Sequence, residues 1–126
     1  MPQIFEYHCT SETCSFSAPD GWGYYMYAIA DDGERVHCPH PGETRRAREV
    51  VGSDASEDEL DERTGFTYHS ACIDCAEQFD RDPNRDDLQC PACGSYAVQY
   101  ILELVGSPCP ACLDGTFTKE DTHAIA

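Results

Sequence analysis

Ten side chains in this sequence have the chemistry and spacing of metal ligands: Cys9, Cys14, Cys38, His40, Cys72, Cys75, Cys90, Cys93, Cys109 and Cys112. Six of them form the Cys-x-x-Cys pairs Cys72/Cys75, Cys90/Cys93 and Cys109/Cys112. Two cysteines so spaced can reach one ion. The tight turn between them points backbone N–H groups at the thiolates and offsets part of their charge. A glycine after the second cysteine relaxes that turn, as in Cys90-Pro91-Ala92-Cys93-Gly94. Thiolates in this pattern suit a tetrahedral zinc ion. Nine cysteines with three of the five histidines would fill three such sites, so two or three zinc ions are expected.

Fourteen residues separate Cys75 from Cys90, enough for one hairpin, and Phe79 would pack against a site made by Cys72, Cys75, Cys90 and Cys93. That set is one expected zinc site, and Cys9, Cys14, Cys38 and His40 are the other. The pairing has a rival. Cys90/Cys93 could instead join Cys109/Cys112, fifteen residues further on, leaving Cys72/Cys75 to Cys38/His40 or Cys9/Cys14. In the favoured pairing Cys109/Cys112 needs two more ligands, either His123 and His69 or groups from the N-terminal segment. His8 and His37 adjoin cysteines that compete for the same ion, so they are expected to be hydrogen-bonded or exposed.

Three segments must position these groups. Residues 1–43 hold the first ligand set around Gly23–Ala30, an Asp31-Asp32-Gly33 turn and Glu34–Val36, a β-hairpin pattern. Residues 44–65 read as an acidic helical linker in which Ser56 and Glu59 could form a capping box and only Val50, Val51 and Leu60 could be buried. Residues 66–126 carry the three knuckles, with a strand at Phe66–Tyr68, a turn at Asp82-Pro83-Asn84 and a β-rich run from Ala97 to Val105.

Cys72-Ile73-Asp74-Cys75-Ala76-Glu77-Gln78-Phe79, followed by Cys90-Pro91-Ala92-Cys93-Gly94-Ser95, resembles the zinc-ribbon (rubredoxin-knuckle) family over about residues 66–117, with a looser echo over 1–43. The resemblance implies a small β-rich fold: two or more zinc-stapled hairpin modules joined by the short acidic helical linker. Ribbons of this kind occur in transcription factors, polymerase subunits, ribosomal proteins and adaptors, so the motif speaks for zinc and fold more than for function. Two spacings depart from it: four residues between Cys9 and Cys14, and one proline between Cys38 and His40.

The charge is extreme: 24 acidic residues against eight basic ones, a net charge of -16, with Lys119 the one lysine. Such a chain repels itself until salt screens it. In this respect the composition resembles that of halophilic archaeal proteins. No apolar run approaches the ~18 residues of a membrane span, and no basic segment followed by an apolar core opens the chain, so a reducing, cytoplasmic setting is expected.

Enzyme signatures are missing. A zinc deaminase needs His-x-Glu upstream of Pro-Cys-x-x-Cys. Pro108-Cys109 supplies the second half, yet no histidine has Glu two positions later. Metalloprotease, phosphate-loop and nucleophile-elbow motifs are absent too. The aromatics Trp22, Tyr24, Tyr25 and Tyr27 could stack on bases, but β-rich ribbons fill thin cores with such residues. Arg45, Arg46 and Arg48 form the one basic cluster, little for counterion release. The expected function is a non-enzymatic zinc-binding adaptor docking onto a larger protein or nucleoprotein assembly. The alternatives are a nucleic-acid-binding ribbon and a thiol redox or metal-handling protein.

Overall fold

Tyr7 and Phe117 organise the larger of two compact units. The computed structural model describes residues 3–87 and 89–125, and the chain divides into one unit made of 1–23 with 68–126 and another made of 24–67. In the larger unit β1 (Gln3–Cys9) is the central strand of three. It pairs antiparallel with β2 (Ser17–Gly21) on one side and β8 (Phe117–Ile125) on the other. Alternation along β1 turns Tyr7 and Cys9 inward and Glu6 outward, the period of a half-buried strand. Tyr7 is 1% exposed, stacks on Phe117 at 6.3 Å, and donates its hydroxyl to the Gly21 carbonyl at 3.0 Å. Phe117 is fully buried and receives the edge of Phe16. Each of these two aromatics contributes roughly 2 kcal/mol by burial. With Ala18, Ala71, Ile101 and Leu104 they form one core.

The later residues of β5 (Thr64–Cys72) pair with β6 (Gln78–Arg81) and β7 (Val98–Tyr100) in the same unit. Asp82 closes the expected turn by accepting the Asn84 N–H at 2.8 Å. The β-rich run over 97–105 is interrupted: after Tyr100 the chain makes one helical turn, α3 (Ile101–Leu104). Two local facts favour the turn. The Glu103 carboxylate reaches back to accept the Tyr100 N–H at 3.0 Å, a capping contact. Ile101 and Leu104, three apart, are both 1% exposed, so helical spacing buries both.

In the smaller unit β3 (Tyr24–Ile29) and β4 (Arg35–Cys38) form the expected hairpin, with Tyr27 opposite His37 and Ile29 opposite Arg35. Gly33 sits at φ 88, a left-handed position that suits glycine in the turn. The segment 44–65 is more than a connecting linker. Helix α1 (Glu43–Val51) buries Ala47 against Ala28 and Cys38, with Met26, Val50 and Val51 packed around them. Helix α2 (Glu57–Glu62) is capped by Ser56, whose hydroxyl accepts the Glu59 N–H at 3.1 Å, and it buries Leu60. Its first turn is Glu57, Asp58 and Glu59, all favourable beside the positive end of a helix. Residues 1–43, expected as one ribbon-like module, are therefore shared between the units: β1 and β2 belong to one, β3 and β4 to the other.

Candidate metal centres

Each Cys-x-x-Cys pair closes in the same way. The residue after the second cysteine donates its N–H to the carbonyl of the first: Ala76 to Cys72 at 2.9 Å, Gly94 to Cys90 at 3.0 Å, Leu113 to Cys109 at 2.8 Å. Closing the turn puts that residue in the left-handed region, with φ of 65, 80 and 63 respectively. Glycine tolerates this freely, whereas alanine and leucine are strained there. Cys9 and Cys14 use a wider turn, in which the Cys14 N–H bonds the Ser11 carbonyl at 3.2 Å and the Ser11 N–H faces the Cys9 sulfur at 3.4 Å.

These turns assemble two four-cysteine clusters, and in each the four sulfurs lie within 4.8 Å of one another. One holds Cys72, Cys75, Cys90 and Cys93, with Cys72–Cys93 and Cys75–Cys90 separations of 3.6 Å. The other holds Cys9, Cys14, Cys109 and Cys112, with Cys9–Cys112 at 3.7 Å and Cys14–Cys109 at 3.9 Å. A tetrahedral zinc with Zn–S bonds of about 2.3 Å requires sulfurs about 3.8 Å apart. Both clusters fit that requirement, and both could hold a metal ion.

The second cluster corrects an expectation. Cys9 and Cys14 do not join Cys38 and His40; they close with Cys109 and Cys112. The cause is strand register. Cys9 lies opposite Phe117 across the β1–β8 ladder, and the Thr10 N–H bonds the Thr116 carbonyl at 2.9 Å, so the knuckle preceding β8 arrives at the end of β1. Gly115 permits the approach: a Cβ there would overlap the Cys9 sulfur and the Ser11 backbone. Cys38 instead faces the β3–β4–α1 core at 1% exposure, where its thiol donates to the Val36 carbonyl at 3.6 Å. Burial pushes that thiol's pKa up, against the pull of Arg46. His40 places Nδ1 3.1 Å from the Glu43 carboxylate. Glu43 is held below its usual range by its own backbone N–H and then by His40.

The other histidines also have partners that are not metal-binding clusters. His69 bridges Asp80 and Gln78, His8 faces Glu120 at 3.2 Å, His37 packs edge-on against Tyr25, and His123 lies 4.0 Å from Asp121. Among the described residues no histidine belongs to either cluster. The sequence carried one signal against Cys38/His40, since one proline between them is too short for a knuckle turn, but none that singled out Cys109/Cys112.

With no ion bound, protons spread unevenly within each cluster. The Ser11 N–H favours the Cys9 thiolate, but desolvation and three neighbouring thiols push its pKa up to about 12. The Glu77 N–H likewise fails to offset the neighbours of Cys75, also at about 12. The opposite balance holds elsewhere. Burial opposes ionisation of Cys90, yet the N–H groups of Cys93 and Ala92 bring it down to about 7. The N–H groups of Gly115 and Asp114 do the same for Cys112, at about 7. A metal ion entering either cluster therefore displaces protons, as thiolate ligation requires.

Several of the residues weighed for base stacking and phosphate contact have partners within the fold. Tyr27 is buried beneath the Arg35 guanidinium, and Tyr24 packs edge-on against Phe66. Arg46 pairs with Glu49 at 3.1 Å and Arg48 with Glu57 at 2.6 Å. Among the described residues no helix is long and apolar enough to cross a membrane. Comparison with protein-family models, with curated proteins and with solved structures finds no match.

Proposed function

We propose that this protein is a non-enzymatic adaptor stapled by two zinc ions, which docks onto a larger protein assembly in a reducing, cytoplasmic setting. The observation that carries the reading is the closure of both clusters. Four cysteine sulfurs within 4.8 Å supply every ligand a tetrahedral zinc takes and leave no open position for substrate. Leu113 supports docking. It is 70% exposed and sits at φ 63, where the same Cys-Pro-Ala-Cys turn at residues 90–93 is followed by glycine. Burying this leucine in a partner's pocket would contribute about 1 to 2 kcal/mol by taking its apolar surface out of water. The acidic residues Asp114 and Glu12 are close to this knuckle in sequence or to its partner turn, and with the -16 charge they favour a partner with basic residues around an apolar pocket. A nucleic-acid partner has less support, because Arg46 and Arg48 are engaged by helix carboxylates.

Native mass spectrometry should find two zinc ions per chain; one or none refutes the reading. A photo-crosslinking residue at position 113 should give one discrete protein adduct in native high-salt lysate, and a site at exposed Glu49 should not. Equal, diffuse labelling from both sites would refute docking through Leu113.

A further inference from the structure

We propose that the two clusters divide their labour: Cys72, Cys75, Cys90 and Cys93 form an exchangeable zinc site, while Cys9, Cys14, Cys109 and Cys112 hold the fold. This rests on the reading that both clusters bind zinc. Backbone hydrogen bonding does not distinguish them. The N–H groups of Ser11, Phe16, Asp114 and Gly115 face sulfurs of one cluster, and those of Glu77, Ala92, Cys93 and Ser95 face sulfurs of the other.

Access distinguishes them. Cys75 and Cys93 are exposed, whereas Cys14 and Cys112 are half-buried; in each cluster the other two cysteines are buried. Zinc exchange begins when a competing donor approaches the ion as one sulfur leaves, so two exposed cysteines open that path. The competitor takes the Zn2+, and the freed thiolates recover protons from water in proportion to their basicity.

Span distinguishes them as well. The exposed cluster closes a segment from Cys72 to Cys93, so losing its ion frees only a local loop. The other joins the end of β1 to the knuckle before β8, across 103 positions for Cys9 and Cys112, beside the buried Phe117. Losing its ion would remove the link across the β1–β8 junction. The ligand class is a thiophilic divalent cation, given up to or taken from a competing chelator while the core stays folded.

The test uses the zinc-loaded wild-type chain. It is mixed with 4-(2-pyridylazo)resorcinol, which reports released zinc by absorbance, and N-ethylmaleimide, followed by peptide mapping. One equivalent should appear at least about tenfold faster than the second, as local opening precedes global opening. The early alkylated cysteines should be Cys72, Cys75, Cys90 and Cys93, with far-UV circular dichroism unchanged. Cys38, buried in the other unit, should label last. Cys93→Ala should keep one slowly released ion. Release of two ions at one rate, early labelling of Cys9, Cys14, Cys109 or Cys112, or loss of secondary structure in the fast phase would overturn the division of labour. A chain isolated without zinc would overturn the underlying metal reading instead.

Discussion

The sulfurs of Cys9 and Cys112 lie 3.7 Å apart although 103 positions separate them in the chain. Cys75 and Cys90, 15 positions apart, lie at 3.6 Å. An ion shared by the first pair closes a far longer loop. On the logarithmic dependence of closure entropy on loop length, that difference amounts to about 2 kcal/mol more restriction of the unfolded chain. Once each holds an ion, two clusters of equal chemistry would have unequal weight in folding.

The pairing is tested by counting zinc in alanine variants. Cys72→Ala and Cys90→Ala should lose the same ion and keep the other. Cys9→Ala and Cys109→Ala should lose the second ion together, with a larger fall in melting temperature. If Cys90→Ala and Cys109→Ala proved equivalent while Cys72→Ala spared their ion, the pairing would be wrong.

Gly115→Ala probes the closeness of the β1–β8 junction. The added methyl would meet the Cys9 sulfur and the Ser11 backbone. Overpacking of this kind costs about 2 kcal/mol. We expect denaturant unfolding to shift by that amount and the ion at Cys9/Cys14/Cys109/Cys112 to bind more weakly, with the other ion unaffected. Gly33→Ala is the control: nothing lies within 4 Å of its Cβ position, so only backbone strain is added.

His69 should make stability pH-dependent. Its Nδ1 lies 2.7 Å from Asp80 and its Nε2 2.8 Å from the Gln78 side-chain oxygen. Gln78 is held in that orientation because its amide NH2 donates to the Ser17 carbonyl at 2.6 Å. Both ring nitrogens therefore face oxygens, which suits the doubly protonated ring. Burial opposes the charge, but the Asp80 and Gln78 hydrogen bonds raise the pKa above 6.5. A raised folded-state value means the contribution is complete below about pH 6.5 and is lost as pH rises through the folded value. Asp80→Asn should remove about 1 kcal/mol at pH 6 and flatten this part of the profile, since the partner is largely exposed. An unchanged profile between pH 6 and 8 would count against the bridge.

Salt should strengthen folding. With a net charge of -16 the chain repels itself, and raising potassium chloride from about 0.1 M to about 2 M shortens the Debye length from ~10 Å to ~2 Å. The melting temperature of the zinc-loaded protein should rise across that range. A flat response would remove the link between this charge and high salt.

Local chemistry was legible without coordinates. Knuckle turns, the Asp-Gly hairpin after Ile29, the Asp82 turn and the Ser56 cap depend on residues within about five positions of one another. Side-chain caps and left-handed glycines act over that range. The set Cys72/Cys75/Cys90/Cys93 was the favoured reading, since a single short excursion joins its halves, but the equally short gap to Cys109/Cys112 left a rival that the structure excludes. The choice of partner for Cys9 and Cys14 was not readable. Thiol pairs are chemically alike, so spacing says how two cysteines face one ion but not which two pairs meet. That was decided by the register of β1 on β8 and by Gly115, which lets the strands' ends approach. Cys38 was misplaced by the same logic. Its thiol could serve a metal or a core, and only the packing of Ala28 and Ala47 around it selects the core. Composition and spacing determined that this chain offers thiol groups suited to metal on small β-rich turns. Long-range strand pairing, with the close approach at Gly115, determined that Cys9 and Cys14 meet Cys109 and Cys112, because no local interaction distinguishes one cysteine pair from another.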